Sequence, residues 1–175
     1  RILLSGERLG TTPEGFDQNI SPQNMKKSIV EGKAIVYYST NLTRILSDCK
    51  FAKTILIGGL TNARAVARYL KNNDVKDVVI VACGALDMIA IEDVIGAGAI
   101  VKNLPKKHLT DGARLALMVF ENPRWKELVT KGWVANYLRK MGFSEDLRCC
   151  IRQNITRTVP IFKEGRLVSA TCQSQ

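Results

Sequence analysis

"AIVYYS", residues 34–39, runs directly into "TNLTRIL", residues 40–46, and the junction between them decides how the chain is read. The first part is short, rich in β-branched and aromatic residues, and almost continuous in its hydrophobicity. That is the pattern of a strand covered on both faces. The second part carries polar groups and then Leu42, Ile45 and Leu46 at helical spacing. Two further runs share the strand pattern: "TILIGG" (54–59) and "DVVIVACG" (77–84). The three begin 20 and 23 residues apart, with helix-like text between them, which is the spacing of βαβ units. The expected class is α/β. We expect a three-layer α/β/α sandwich with a largely parallel central sheet, and a helical C-terminal part ending in a short β-hairpin.

The first helix is expected from about Thr43 to Asp48. "TNARAVARYLKN" begins a second, with Thr61 as its N-cap. "AIEDVIGAGAIVKNL" reads as a third, in which Gly96 and Gly98 each cost about 1 kcal/mol of helix propensity and so imply close packing. "TDGARLALMVF" (110–120) and "PRWKELVTKGWVANYLRKMG" (123–142) continue the helical text, the latter with Trp125, Leu128, Val129, Trp133, Tyr137 and Met141 as an apolar core stripe. Gly142 suits a helix C′ position. "VPIF" and "RLVSA" flank Lys163-Glu164-Gly165 as a hairpin with glycine in its turn. No repeat, linker or low-complexity segment interrupts the 175 residues, so a single domain over 1–175 is expected.

Composition excludes several function classes. No apolar stretch approaches the roughly 18 to 20 residues of a membrane span, and the first residues show no signal-peptide pattern. Five cysteines (49, 83, 149, 150 and 172) with no C-x-x-C pattern, beside a single histidine, His108, give no zinc spacing. Free thiols in the cytoplasm are expected. The net charge of +10 is concentrated late: residues 1–100 hold 12 Lys and Arg against 10 Asp and Glu, residues 101–175 hold 14 against 6. Basic residues are not interleaved with exposed aromatic ones, so no nucleic acid is expected as a partner and an anionic metabolite fits better.

In a parallel sheet the carboxyl ends of the strands open on one edge, where ligands bind. Here those ends read Ser39-Thr40-Asn41, Leu60-Thr61-Asn62 and Ala82-Cys83-Gly84. Thr40, Asn41, Thr43 and Arg44 in the first, with Thr61 and Asn62 in the second, offer donors for an anion; they would equally serve as helix caps. Carboxylates that could hold magnesium are Glu7 in "SGERLG", Asp17 in "PEGFDQNISP", and Glu92 and Asp93 at the start of the third helix. Helix-dipole complementarity would also account for the last two. No Cys is followed by five residues and then an Arg, and no D-x-D opens a strand-to-loop segment, so a phosphocysteine or phosphoaspartate mechanism is not expected.

Taken in order, "GERLG" (6–10), "EGFDQNISP" (14–22), "STNLTRIL" (39–46), "LTNARAVA" (60–67), "IEDVIGAGAIV" (91–101) and "YLRKMGFSEDLRCCIRQNITRTVPIF" (137–162) resemble the 2-phosphosulfolactate phosphatase family of coenzyme M biosynthesis. The resemblance implies a cytoplasmic enzyme that hydrolyses 2-phospho-3-sulfolactate to 3-sulfolactate and phosphate with Mg2+. It implies catalytic roles for Asn41, Arg44 and Asp17, substrate contacts from Ser39, Thr40, Thr43, Thr61, Asn62 and Arg8, and metal ligation by Glu7, Asp17, Glu92 and Asp93. The partner is then a small substrate bearing phosphate, sulfonate and carboxylate, with no membrane and no nucleic acid, and with room for a homo-oligomer.

The chain departs from the family's T-T-N-G-T-R-A at Leu42, which stands where the family has glycine. It also departs from F-D-x-G-N-S-P at residues 16–22 and from A-G at Cys83-Gly84. A family segment resembling V-I-D-V-L-R-A-T-S-T is expected upstream of Arg1, so the chain is expected to lack the family's N-terminal portion. The second function considered is a divergent or non-catalytic member that binds a small anionic metabolite. For Leu42, the expectation is that it keeps a negative φ and packs as the opening apolar residue of the helix.

Overall fold

The computed structural model describes residues 1–49 and 51–170. In chain order the elements are β1 (Ile2–Gly6), α1 (Lys27–Val30), β2 (Ala34–Tyr38), α2 (Leu42–Asp48), β3 (Ile55–Leu56), α3 (Ala63–Asn72) and α4 (Ile91–Lys102). They continue with α5 (Asp111–Glu121), α6 (Trp125–Lys131), α7 (Trp133–Lys140), α8 (Ser144–Cys150), β4 (Pro160–Lys163) and β5 (Arg166–Ser169). The class is mixed α/β, as expected, and the chain closes on the expected hairpin. Among the described residues the strands form two sheets: β1 and β2 pair in parallel, and β3, β4 and β5 form an antiparallel ladder. The hairpin turn places Glu164 (φ 52°) and Gly165 (φ 74°) in the left-handed region, the backbone that lets a two-residue loop follow the strands' twist.

The core lies among the helices. Leu60, Val66, Leu70, Ile95, Ile100, Trp125, Val129 and Val159 pack together, with Ile95 fully buried. Gly98 is where α4 meets α5: a methyl group there would overlap the Ala116 carbonyl and crowd the Phe120 Cβ. Close packing therefore explains a helical glycine that intrinsic propensity disfavours. Thr110 caps α5 by accepting from Ala113 N at 3.4 Å, and the φ of +85° at Gly142, with Phe143 N donating to Leu138 O at 2.9 Å, ends α7 in a Schellman turn.

The strand pair is tied to this helical body by two side-chain bonds. Ser21 Oγ donates to Asp146 Oδ1 of α8 at 2.7 Å, both residues being buried. Tyr137 Oη of α7 donates to Leu9 O at 2.8 Å.

Four expectations are corrected. The run 77–84 forms no strand; it is largely exposed, Val79 at 88%, and makes no ladder. An apolar β-branched run becomes a strand only where a neighbour supplies backbone partners. β2 forms, but all five of its residues are exposed, because β1 is its one ladder partner and the helices pack mainly on one another. The helix expected over 123–142 breaks at Gly132, whose extended backbone (φ −60°, ψ 160°) starts α7 on a new course. Trp125 and Val129 stay in the core while Leu128, Trp133 and Tyr137 come to the surface. Lastly, α3 is entered through Asn62 rather than Thr61. The expected free thiol Cys172 lies outside the described residues; Cys49, Cys83, Cys149 and Cys150 are free. Among the described residues, no helix is long and apolar enough to cross a membrane.

Candidate active site

The polar residues singled out above fall into two groups, joined by one turn. The first group closes the ends of β1 and β2. Glu7 accepts from Thr40 N at 2.6 Å through Oε1, and from Thr40 Oγ1 and Gly10 N, both at 2.9 Å, through Oε2. Leu9 N donates back to Thr40 Oγ1 at 3.0 Å. Glu7 is thus a brace between two strand ends, with both oxygens already in use. Arg8 sits in the exposed turn beneath it, its backbone paired with that of Thr11. Asp17 lies beside the middle of β1, where its Oδ2 accepts from Leu4 N at 2.8 Å.

Beyond β2, Ser39 and Thr43 are turned onto each other: Thr43 Oγ1 donates to Ser39 O at 2.6 Å, and Ser39 Oγ accepts from Thr43 N at 3.4 Å. Leu42 opens α2, partly buried and absent from the left-handed residues, as expected of a leucine packed at the start of the helix. Asn41 Oδ1 accepts from Leu86 N at 3.4 Å, and Arg44 Nη2 donates to Asp87 Oδ1 at 2.6 Å. Asn41 and Arg44 therefore both grip the turn at 85–88, which is closed by reciprocal backbone bonds of 3.0 Å between Ala85 and Met88.

The second group lines a cavity of about 360 Å³. Its polar rim is formed by Gly58, Gly59, Thr61, Cys83, Glu92 and Asp93, and its floor is apolar. Gly96 on α4 faces Gly59, with only 3.9 Å between the place its Cβ would take and the Gly59 Cα, so the middle of the helix lies close against the rim. Asn62 is not free for a ligand. Its Oδ1 accepts from Gly59 N at 2.9 Å, and its Nδ2 donates to Ile57 O and Thr158 O, both at 3.1 Å, which fixes the rim's shape.

Burial pushes both Glu92 and Asp93 above the usual carboxylate range. The neighbouring Asp93 charge adds to this at Glu92, and the backbone bond from Gly84 N, 2.7 Å from Asp93 Oδ2, partly offsets it at Asp93. Both cavity thiols are pushed toward the protonated form: burial, then the Asp93 charge, pushes Cys83 up, and Cys150 is pushed to about 11 by desolvation and by Cys149 and Asp146. Neither is the thiolate a covalent mechanism would need.

These surroundings decide which carboxylates fit a cation. Glu7 already accepts from three donors that tie two strand ends together, and Asp17 is not among the residues that line the cavity but lies on the flank of β1. Glu92 and Asp93 are adjacent, partly desolvated, and have no Lys or Arg among the residues that line the cavity with them. No group of three His, Cys, Asp or Glu among the described residues could hold a metal. A two-carboxylate set suits magnesium, which takes one or two carboxylates and completes its shell with water and substrate oxygens.

The sequence motifs did not point to Asp87 or to the Gly84–Asp93 bond. Arg44 and Asp87 are 43 residues apart and Glu7 and Thr40 are 33 apart, so no local pattern announces either contact.

A family model described as 2-phosphosulpholactate phosphatase matches residues 1–165. A protein of Clostridium perfringens (strain SM101) named "Probable 2-phosphosulfolactate phosphatase" is 35% identical over 170 residues, covering 95% of this chain and 68% of that protein. Proteins of the same name from Thermotoga petrophila and Pseudothermotoga lettingae are 34% and 37% identical, over 94% and 95% of this chain and 72% and 73% of their own lengths.

Proposed function

The chain belongs to the 2-phosphosulfolactate phosphatase family, and on that premise we propose that it is a magnesium-dependent phosphatase. Its substrate would be 2-phospho-3-sulfolactate, cleaved to 3-sulfolactate and phosphate in the cytoplasm as a step of coenzyme M biosynthesis. The observation that carries the metal assignment is the pair Glu92 and Asp93. Two adjacent carboxylates are held in partly desolvated surroundings at the rim of a cavity that Lys and Arg do not line. Uncompensated buried charge is costly, and a bound cation would offset that cost.

Magnesium, when bound, supplies neutralisation of phosphoryl oxygens and a more acidic water. The chain's own residues do the rest. Glu92 and Asp93 would hold the ion. Gly59, with nothing within 4 Å of where a Cβ would stand, would let a ligand approach the backbone at the rim. Asn62 keeps that rim in shape. Arg44 offers a charge-assisted donor pair for a phosphate or sulfonate. Asn41, Thr40, Thr43 and Ser39 would hold the Arg44 loop. The apolar floor would exclude bulk water, which strengthens each polar contact above it.

The upward-shifted thiols of Cys83 and Cys150 fit a reaction with no covalent cysteine intermediate. Phosphate release from phosphosulfolactate is the test: turnover with magnesium and none in excess EDTA is expected. Undiminished turnover in EDTA would sink the metal assignment. Tight binding of the substrate without turnover would favour a divergent, binding-only member.

A further inference from the structure

Asp87 is an acidic residue in hydrogen-bonding contact with the one cation of the Ser39–Arg44 loop. Its Oδ1 lies 2.6 Å from Arg44 Nη2, and the two side chains are 78% and 52% exposed. Nothing buries the pair, so it is not part of the core, and exposed pairs of this kind are weak enough to exchange partners. Asp87 is delivered there by the turn Ala85–Met88, whose two central residues, Leu86 (φ 53°) and Asp87 (φ 60°), are both left-handed. Side chains with a Cβ disfavour that backbone, and consecutive examples persist where other contacts hold them. Here those contacts come from Asn41, which accepts from Leu86 N, and from Asp93, which accepts from Gly84 N one residue before the turn. The same turn thus touches the Arg44 loop on one side and the candidate metal ligand on the other.

We infer that Asp87 is a self-inhibitory residue of this site: its carboxylate occupies Arg44 in the free protein, and an anionic group of the substrate must displace it to bind. The inference rests on the assignment of Arg44 as a substrate ligand. A carboxylate and a phosphate or sulfonate oxygen compete for the same guanidinium donors, so Asp87 lowers the affinity for every anion that must displace it. Asp48 also lies in the field of Arg44, without a hydrogen bond to it, and so serves as a control for general charge.

The test uses the full chain with inorganic phosphate as the probe, followed through the arginine Nε–Hε signals of 15N-labelled protein. Asp87→Asn keeps a side chain that tolerates the left-handed turn and removes only the charge. It should bind phosphate about three- to tenfold more tightly than the wild type, with Asp48→Asn within about twofold of wild type. Adding Arg44→Ala to Asp87→Asn should abolish the gain. Unchanged or weaker binding in Asp87→Asn would overturn the inference; weaker binding would mean that Asp87 positions Arg44 instead of competing for it. An equal gain in Asp48→Asn overturns it too. Phosphate release is measured in parallel. Its absence with the phosphate shift intact would sink the enzymatic assignment and leave the role of Asp87 standing.

Discussion

Glu7 and Asp93 both stand where polar groups gather around the start of a helix, and both accept a backbone N–H, yet their surroundings differ. Glu7 has three donors on its two oxygens and knots two strand ends together. Asp93 has one donor, an acidic neighbour and a cavity in front of it. A carboxylate whose lone pairs are taken up by the chain contributes to the fold. One that is desolvated and incompletely paired costs the fold something and keeps oxygens for a ligand. Carboxylates of these two kinds look alike in sequence; their hydrogen bonds separate them.

Substitution should therefore have opposite effects at the two places, and the largest concerns catalysis. The double variant Glu92→Gln/Asp93→Asn should lose phosphate release by about 100-fold or more, the scale of removing the groups that organise charge stabilisation. Glu7→Gln should keep the metal requirement but lose about 1.5 to 3 kcal/mol of stability, as hydrogen bonds to a charged group are broken. Denaturant midpoints and initial rates, measured on both, separate the two. Loss of magnesium dependence in Glu7→Gln with a normal midpoint would reverse the comparison.

The second effect is on stability against pH. The folded-state carboxyls of Glu92 and Asp93 titrate above their ordinary values of 4.5 and 3.8. Their favourable contribution is therefore complete below those ordinary values and is lost as pH rises through the raised ones. Without magnesium, the Glu92→Gln/Asp93→Asn variant should gain on the wild type at neutral pH and lose that advantage below about pH 4. A wild type that outlasts the variant at neutral pH without metal would show that the pair is not a desolvated charge.

The smallest effect is at Leu42. The residue opens α2 and is partly buried, so Leu42→Gly should cost about 1 to 2 kcal/mol in helix propensity and burial and leave the rate unchanged. An equally stable variant at least ten times faster would mean that leucine obstructs the loop.

How much of this was legible in the sequence follows from the range of the forces involved. α3, α4, α5 and the terminal hairpin were readable because hydrophobic period and turn residues act within a few positions. Leu42 as a helix opener was readable from its spacing to Ile45 and Leu46. The run 77–84 misled because its composition says "strand" while strand formation needs a partner that composition does not supply. The break at Gly132 was hidden inside a continuous apolar stripe, and α8 (Ser144–Cys150) escaped because Leu147 is its one large aliphatic residue and sets no period. At the site, the residue types were visible, but which of them the chain itself holds in hydrogen bonds was not. The contacts Glu7–Thr40, Arg44–Asp87 and Asn62–Thr158 join segments distant in sequence, which the backbone course alone brings together.

The most direct test of the central claim is calorimetric titration of Mg2+ into the wild type, Glu92→Gln/Asp93→Asn, Glu7→Gln and Asp17→Asn. Binding by the wild type, Glu7→Gln and Asp17→Asn, with none by the Glu92/Asp93 double variant, is the result we expect. Undiminished binding in the Glu92/Asp93 double variant, or its loss in Asp17→Asn with the fold intact, would contradict the account and move the metal to the strand pair.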